Sequence, residues 1–156
     1  MNQALPQDVH EHSLTLPEVI DALVDEGLLA ADQATNFKNE RRHFRTGVHP
    51  LVMIAEQRWR SLQAPHLVLD LDRLSQWLAK WSGLDYANID PLKMDFSAIT
   101  GVMSSAYATR FCILPIKVTD NEVVIATAEP FQRAWEAEIQ PILNKKIHRV
   151  IANPQD

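Results

Sequence analysis

The hydrophobic pattern changes period part-way along the chain. Up to about residue 81 apolar residues recur three and four apart, and from about residue 111 they crowd into short β-rich runs. The first helix signal is Thr15-Leu16-Pro17-Glu18: a threonine cap, a proline in the first turn and a glutamate three residues after the cap. Val19, Ile20, Leu23 and Val24 continue one apolar stripe, and Gly27 stands where a helix end needs a residue that tolerates positive φ. A second helix is expected from about Ala31 to Phe44, with Ala34, Phe37 and Phe44 inward. A third starts at His49-Pro50, with Leu51, Ile54, Ala55 and Trp59 on one side. Ala64-Pro65-His66 reads as a linker. A fourth helix, from about Leu71 to Trp81, carries Leu74, Trp77, Leu78 and Trp81 and stops at Gly83.

Tyr86 to Pro91 reads as an extended connection, because a residue before proline is pushed out of the helical region. Two short helices are expected near Phe96–Val102 and Ser104–Arg110. Phe111 to Val118 is a strand in which Pro115 implies an edge position or a bulge. Thr119-Asp120-Asn121 is a turn, and Val123 to Thr127 completes a hairpin. Glu129-Pro130 opens a helix with Trp135, Ile139, Ile142 and Leu143 inward, which Pro141 should kink or end. Ile147 to Ile151 is a third strand. The expected fold is α+β: a loose, disordered tail over 1–13, a helical subdomain over 14–63, and a small β-β-α-β subdomain over 66–153 with a three-stranded, mostly antiparallel sheet and packed helices.

Composition narrows the function. Of 156 residues, 46% are hydrophobic, enough to build a core. A formal charge of −5 argues against nucleic-acid binding, which needs a basic face, and against attachment to an anionic bilayer by charge alone. The single cysteine, Cys112, rules out an intrachain disulfide and a four-cysteine zinc site, and its apolar neighbours Phe111, Ile113 and Leu114 make it a buried small hydrophobe. No apolar run is long enough for a transmembrane helix, and Met1 to Ser13 lacks the pattern of a signal peptide, so the expected location is the cytoplasm.

Candidate chemistry is sparse. The four glycines, Gly27, Gly47, Gly83 and Gly101, form neither a P-loop nor a dinucleotide fingerprint, so no enzyme is expected in this chain. His10 and His12 can share a metal only within the tail, where a solvated role is the simpler reading. His43 and His49 flank a loop. Asp85, Asp90 and Asp95 suit turns and helix caps better than acid–base work. Trp59, Trp77, Trp81 and Trp135 fall at helical spacing with leucines and read as core. Arg41, Arg42 and Arg45 form the one basic run; it either holds a phosphate or complements the dipole at a helix end.

Three segments carry a resemblance: Gly83-Leu84-Asp85-Tyr86 with Ile89 to Asp95, Ser105 to Phe111 with Ile113-Leu114-Pro115-Ile116, and Val123 to Phe131. In order and spacing this block, residues 67–153, resembles the amino-terminal domain of the type II secretion and type IV pilus assembly ATPases. Residues 16–62 resemble the more variable helical part before it. The resemblance implies a cytoplasmic docking module, peripheral to the inner membrane through a partner. It would bind the cytoplasmic domain of an inner-membrane protein and couple it to the chain's own C-terminal ATPase core, which takes ATP and magnesium. The linker to that core is expected near Asn153-Pro154-Gln155-Asp156. Docking is assigned to the face of Val19, Ile20, Leu23 and Val24, residues that a core reading also accommodates.

A branch of the family binds cyclic di-GMP through tandem copies of a leucine-rich motif. Leu23 to Leu29 matches the middle of one copy, but Glu18-Val19-Ile20 stands where Arg-Leu-Gly belongs and Arg41 where glutamine belongs. Arg45-Thr46-Gly47 imitates the start of the second copy, and His49-Pro50 then departs from it. If a cyclic dinucleotide binds, Arg41, Arg42 and Arg45 are the expected phosphate contacts.

Overall fold

The computed structural model describes residues 11–40, 45 and 47–154. Two compact units divide the chain, one over Leu14–Leu74 and one that joins Ser75 onward to the segment ending at Ser13.

The first unit is helical. α1 (Leu16–Asp25) starts as its sequence predicts. The Thr15 hydroxyl accepts from the Glu18 N–H, and the Glu18 side chain closes a capping box. At its other end Gly27 takes φ +76° and the Leu28 N–H reaches back to the Leu23 carbonyl at 2.9 Å. α2 (Ala31–Asn39) and α3 (Pro50–Ala55) pack against α1. The His49 ring N-caps α3, with Nδ1 accepting from the Leu51 N–H at 3.1 Å. α2 is thus shorter than the helix expected to Phe44; positions 41–44 lie outside the described residues. Trp59 lies beyond the end of α3 and meets Phe37 edge to face at 4.9 Å. α4 (Leu71–Ser82) runs across the boundary between the units.

The second unit carries a four-stranded mixed sheet in the order β1-β4-β3-β2, from β1 (Asp85–Tyr86), β2 (Ile113–Val118), β3 (Glu122–Thr127) and β4 (Lys146–Ile151). This corrects the expectation of three mostly antiparallel strands. The β2–β3 hairpin is antiparallel, but both pairings of β4 are parallel. The cause is α7 (Ala134–Leu143), which returns the chain to the starting end of β3, so β4 must run in the same direction. Tyr86, expected in an extended connection, and Asp85, expected in a turn or a helix cap, supply the additional strand. Pro115 sits on edge strand β2 beside a register shift between Pro115 and Lys117, satisfying both of its expected roles.

Pleating sends Ile113, Val123 and Ile125 to one face, where they bury with Trp135 and Ile139 of α7. Tyr107 and Phe111 of α6 (Ser105–Phe111) cover this cluster. The opposite face holds a smaller cluster of Ala126, Val150 and Ala152. α5 (Phe96–Thr100) precedes α6 and is capped by Asp95.

α7 begins four residues later than Glu129-Pro130 implies. The Glu129 N–H is taken by the Thr127 hydroxyl at 3.0 Å, and the Gln132 N–H bonds the Glu129 carbonyl, so 129–132 form a turn. The helix cap then comes from far along the chain: the Glu11 carboxylate accepts from the Arg133 and Ala134 N–H groups. His12 stacks on Phe131, with ring centroids 5.0 Å apart. Positions 1–10 of the expected tail lie outside the described residues, while 11–13 lie against this unit. Pro141 sits in the last turn of α7, which ends two residues later with Asn144 in the left-handed region. Ile142, expected inward, is 79% exposed, because Trp135 and Ile139 already fill the face toward the sheet. Cys112 is exposed as well: it closes α6 in a left-handed conformation that turns its side chain away from Ile113 and the core.

Candidate functional site

The end of α4 and the start of β4 build an open cleft in this unit. Gly83 takes φ +77° and its N–H bonds the Lys80 carbonyl. The Leu84 N–H bonds the Ala79 carbonyl at 2.9 Å. These helix-capping bonds hold Gly83 and Leu84 to α4, so the chain pairs with β4 only from Asp85. β1 is therefore two residues long, matched to Val150 and Ile151. Between Gly83–Asp85 and the first half of β4 a cleft of about 250 Å³ remains, lined by Ile147, His148 and Arg149 and flanked by Arg133 and Glu136 from the start of α7.

Its electrostatics centre on Arg149. This side chain is only 9% exposed. Its Nε donates to Oε1 of Glu136 at 2.9 Å and its Nη1 donates to the Pro130 carbonyl at 2.7 Å. Arg133 binds the other oxygen, Oε2, through Nη2 at 2.9 Å and Nε at 3.2 Å. Burial holds the Arg149 guanidinium below the usual arginine range; the Glu136 carboxylate opposes that shift and Arg133 adds to it. His148 Nε2 lies 3.5 Å from Asp85 Oδ2 at the rim. The arrangement satisfies charge with charge. It supplies hydrogen-bonding groups and an exposed guanidinium, which suits recognition more than bond making.

Of the residues singled out in the sequence, Gly83 and Asp85 line this cleft; the expected docking residues do not. Val19, Ile20 and Leu23 are each 0% exposed and Val24 is half-buried. The expected docking stripe is therefore the core of the helical unit: the 3.6-residue period marks burial equally well for an inner and an outer partner. Arg41 and Arg42 lie outside the described residues, as do His10 and His43. Arg45 is exposed and its Nη2 donates to Glu56. Asp90 accepts from the Leu92 N–H in a turn and Asp95 caps α5, the roles expected of both. Trp77 stacks on Trp81 at 5.2 Å, and Trp81 meets Phe131 edge to face. Arg133, Glu136 and Arg149 escaped notice. Their available signals were an arginine inside the apolar run Ile147–Ile151 and an oppositely charged pair three apart at the head of α7.

Gly27 and Gly83 are spent on ending helices, and among the described residues no group of three His, Cys, Asp or Glu side chains could hold a metal ion.

The profile of the MshEN domain matches residues 82–156, a stretch that starts at the last residue of α4 and includes all four strands with α5, α6 and α7. Residues 82–156 are an MshEN domain. The chain is 38% identical over 107 residues to the type IV pilus assembly ATPase TfpB of Acinetobacter baylyi. That alignment covers 68% of this chain and 18% of the relative, so the chain spans less than a fifth of that protein. In fold it is similar to MshE, in a structure of MshE with cdg, at TM-score 0.53 and 20% identity over 88% of this chain and 91% of that one. It is similar also to the N-terminal domain of XpsE at TM-score 0.51 and 12% identity, covering 92% of each chain. At these identities the likeness is one of fold. The resemblance to amino-terminal domains of the secretion and pilus assembly ATPases is thus borne out, and the cleft lies wholly within the MshEN domain. No helix among the described residues is long and apolar enough to cross a membrane.

Proposed function

We propose that this chain is a docking and regulatory domain, with no catalytic centre of its own, in a type II secretion or type IV pilus assembly ATPase. On this reading it binds the cytoplasmic domain of an inner-membrane platform protein and couples it to a C-terminal ATPase core, where ATP and magnesium would act. It works in the cytoplasm, held at the membrane through that partner, without touching nucleic acid or entering the bilayer. The observation that carries the proposal is the MshEN domain at residues 82–156, in a chain 38% identical to part of a pilus assembly ATPase. The formal charge of −5 accords with a protein partner in preference to an anionic surface. A pull-down with the platform protein's cytoplasmic domain tests it: retention that survives moderate salt supports docking, and none at any salt concentration refutes it.

A second reading, a cyclic di-GMP-sensing domain, is favoured by the fold likeness to the MshE structure with cdg and by Leu23 to Leu29. Glu18 weighs against it. It stands at the motif's arginine position, and its carboxylate is engaged with the Thr15 N–H at 3.4 Å. Calorimetry with cyclic di-GMP decides: heat of binding lost on Arg41→Ala or Arg45→Ala supports this reading, and no heat at high micromolar ligand rejects it.

A further inference from the structure

The parallel register of β4 fixes where its peptide groups point. Lys146 N–H bonds Asn121 and Ala152 N–H bonds Thr127, so the even-numbered residues face β3. Ile147, Arg149 and Ile151 face the other edge, where the Ile151 carbonyl accepts from the Ala87 N–H at 2.8 Å. β1 covers only Val150 and Ile151. The Ile147 N–H and carbonyl and the Arg149 N–H therefore open into the cleft, with no strand beside them among the described residues.

Open sheet edges are normally blunted. The free edge of β2 is: it carries Pro115 and a register shift. The Ile147–Arg149 stretch has no proline and no irregularity in its register. Its one charged side chain toward α7, Arg149, is drawn inward to Glu136. Both oxygens of Glu136 are engaged by Arg149 and Arg133, while Arg133 keeps 62% exposure at the mouth of the cleft. The cleft thus offers main-chain donors and an acceptor in extended geometry, with a guanidinium at its side.

We propose that the outer edge of β4 over Ile147–Arg149 docks an extended segment of a partner protein, which adds as a short strand in line with β1 and places an acidic side chain beside Arg133. This rests on the docking reading only for which protein supplies the segment.

The test is nuclear magnetic resonance on the labelled chain with the blocked pentapeptide Thr-Val-Glu-Val-Thr at millimolar concentration. Shifts concentrated at Gly83–Asp85 and Ile147–Arg149, with slowed exchange of the Ile147 and Arg149 amides, support the proposal. So does a loss of affinity of about tenfold in Arg133→Glu, since a charge-assisted contact is worth roughly that factor. No shift at those amides overturns it, as do equal shifts from the same peptide N-methylated along its backbone. Shifts that grow with the chain's own concentration before peptide is added assign the edge to a second copy and overturn it too. The cytoplasmic domain of the platform protein forms a separate arm. If it binds and leaves these amides unmoved, the edge proposal falls and the docking role stands. If the pentapeptide binds at the edge and that domain does not bind at all, the docking role falls and the edge stands.

Discussion

Glu136 of α7 and Arg149 of β4 meet at 2.9 Å, and Arg149 is nearly buried on the face of the sheet that α7 covers. The pair ties the crossover helix to the strand it delivers. Removing the carboxylate leaves a buried guanidinium that keeps its bond to the Pro130 carbonyl but loses its counter-charge, a costly state. Glu136→Ala is expected to cost about 2–4 kcal/mol in urea unfolding. Adding Arg149→Met should restore much of that loss, because the charge then leaves with its partner. Equal costs for the single and double variants would show that the pair is not coupled.

Leu23→Ala separates core from docking surface. With Leu23 at 0% exposure in the helical unit, the substitution should lower stability by about 2–5 kcal/mol. Affinity for the platform partner, measured well below the midpoint of unfolding, should stay unchanged. Full stability with lost affinity would restore the stripe as a docking face.

Glu11→Ala tests the distant cap. Arg133 offers α7 no side-chain cap of its own, and Glu11 fills that role across 122 residues of sequence. The variant should lose about 1 kcal/mol and expose the Arg133 and Ala134 amides to faster hydrogen exchange. Unchanged exchange at both amides would contradict the contact.

Tyr107 gives a pH signature. Burial, and then its 2.8 Å hydrogen bond to Glu138, push the phenol up from 10.0 to about 12. The raised value means the fold favours the neutral phenol. Its contribution to stability is complete below pH 10 and is lost as pH climbs from 10 toward 12. In Tyr86→Phe, which leaves Tyr107 as the sole tyrosine of two, tyrosinate absorbance should appear with a midpoint near 12. Glu138→Gln should move that midpoint down. A midpoint at 10 with Glu138 intact would contradict the contact.

Local signals carried the fold a long way. The capping box at Thr15 and Glu18, the glycine stops at Gly27 and Gly83, and the hairpin around Thr119-Asp120-Asn121 are all written within a few residues, and the structure follows them. Strand direction is a different kind of property. Whether Ile147 to Ile151 runs with or against β3 depends on where α7 delivers the chain, and no local run of residues records that. β1 was missed because two residues are too few to show alternation. Ile142 was misplaced because apolar residues outnumber the inward positions of a ten-residue helix. At the site, Arg149 and Glu136 are 13 positions apart, and only the packing of α7 on β4 makes them partners. Family resemblance, by contrast, rested on order and spacing along the chain, which sequence records directly.

The central claim is that this MshEN-domain chain is a docking domain. Calorimetric titration of the platform protein's cytoplasmic domain into the chain, at low and at physiological salt, tests it most directly. The account predicts saturable binding with a Kd in the micromolar range or tighter at both. No binding at either salt concentration, with the chain folded throughout, would contradict it.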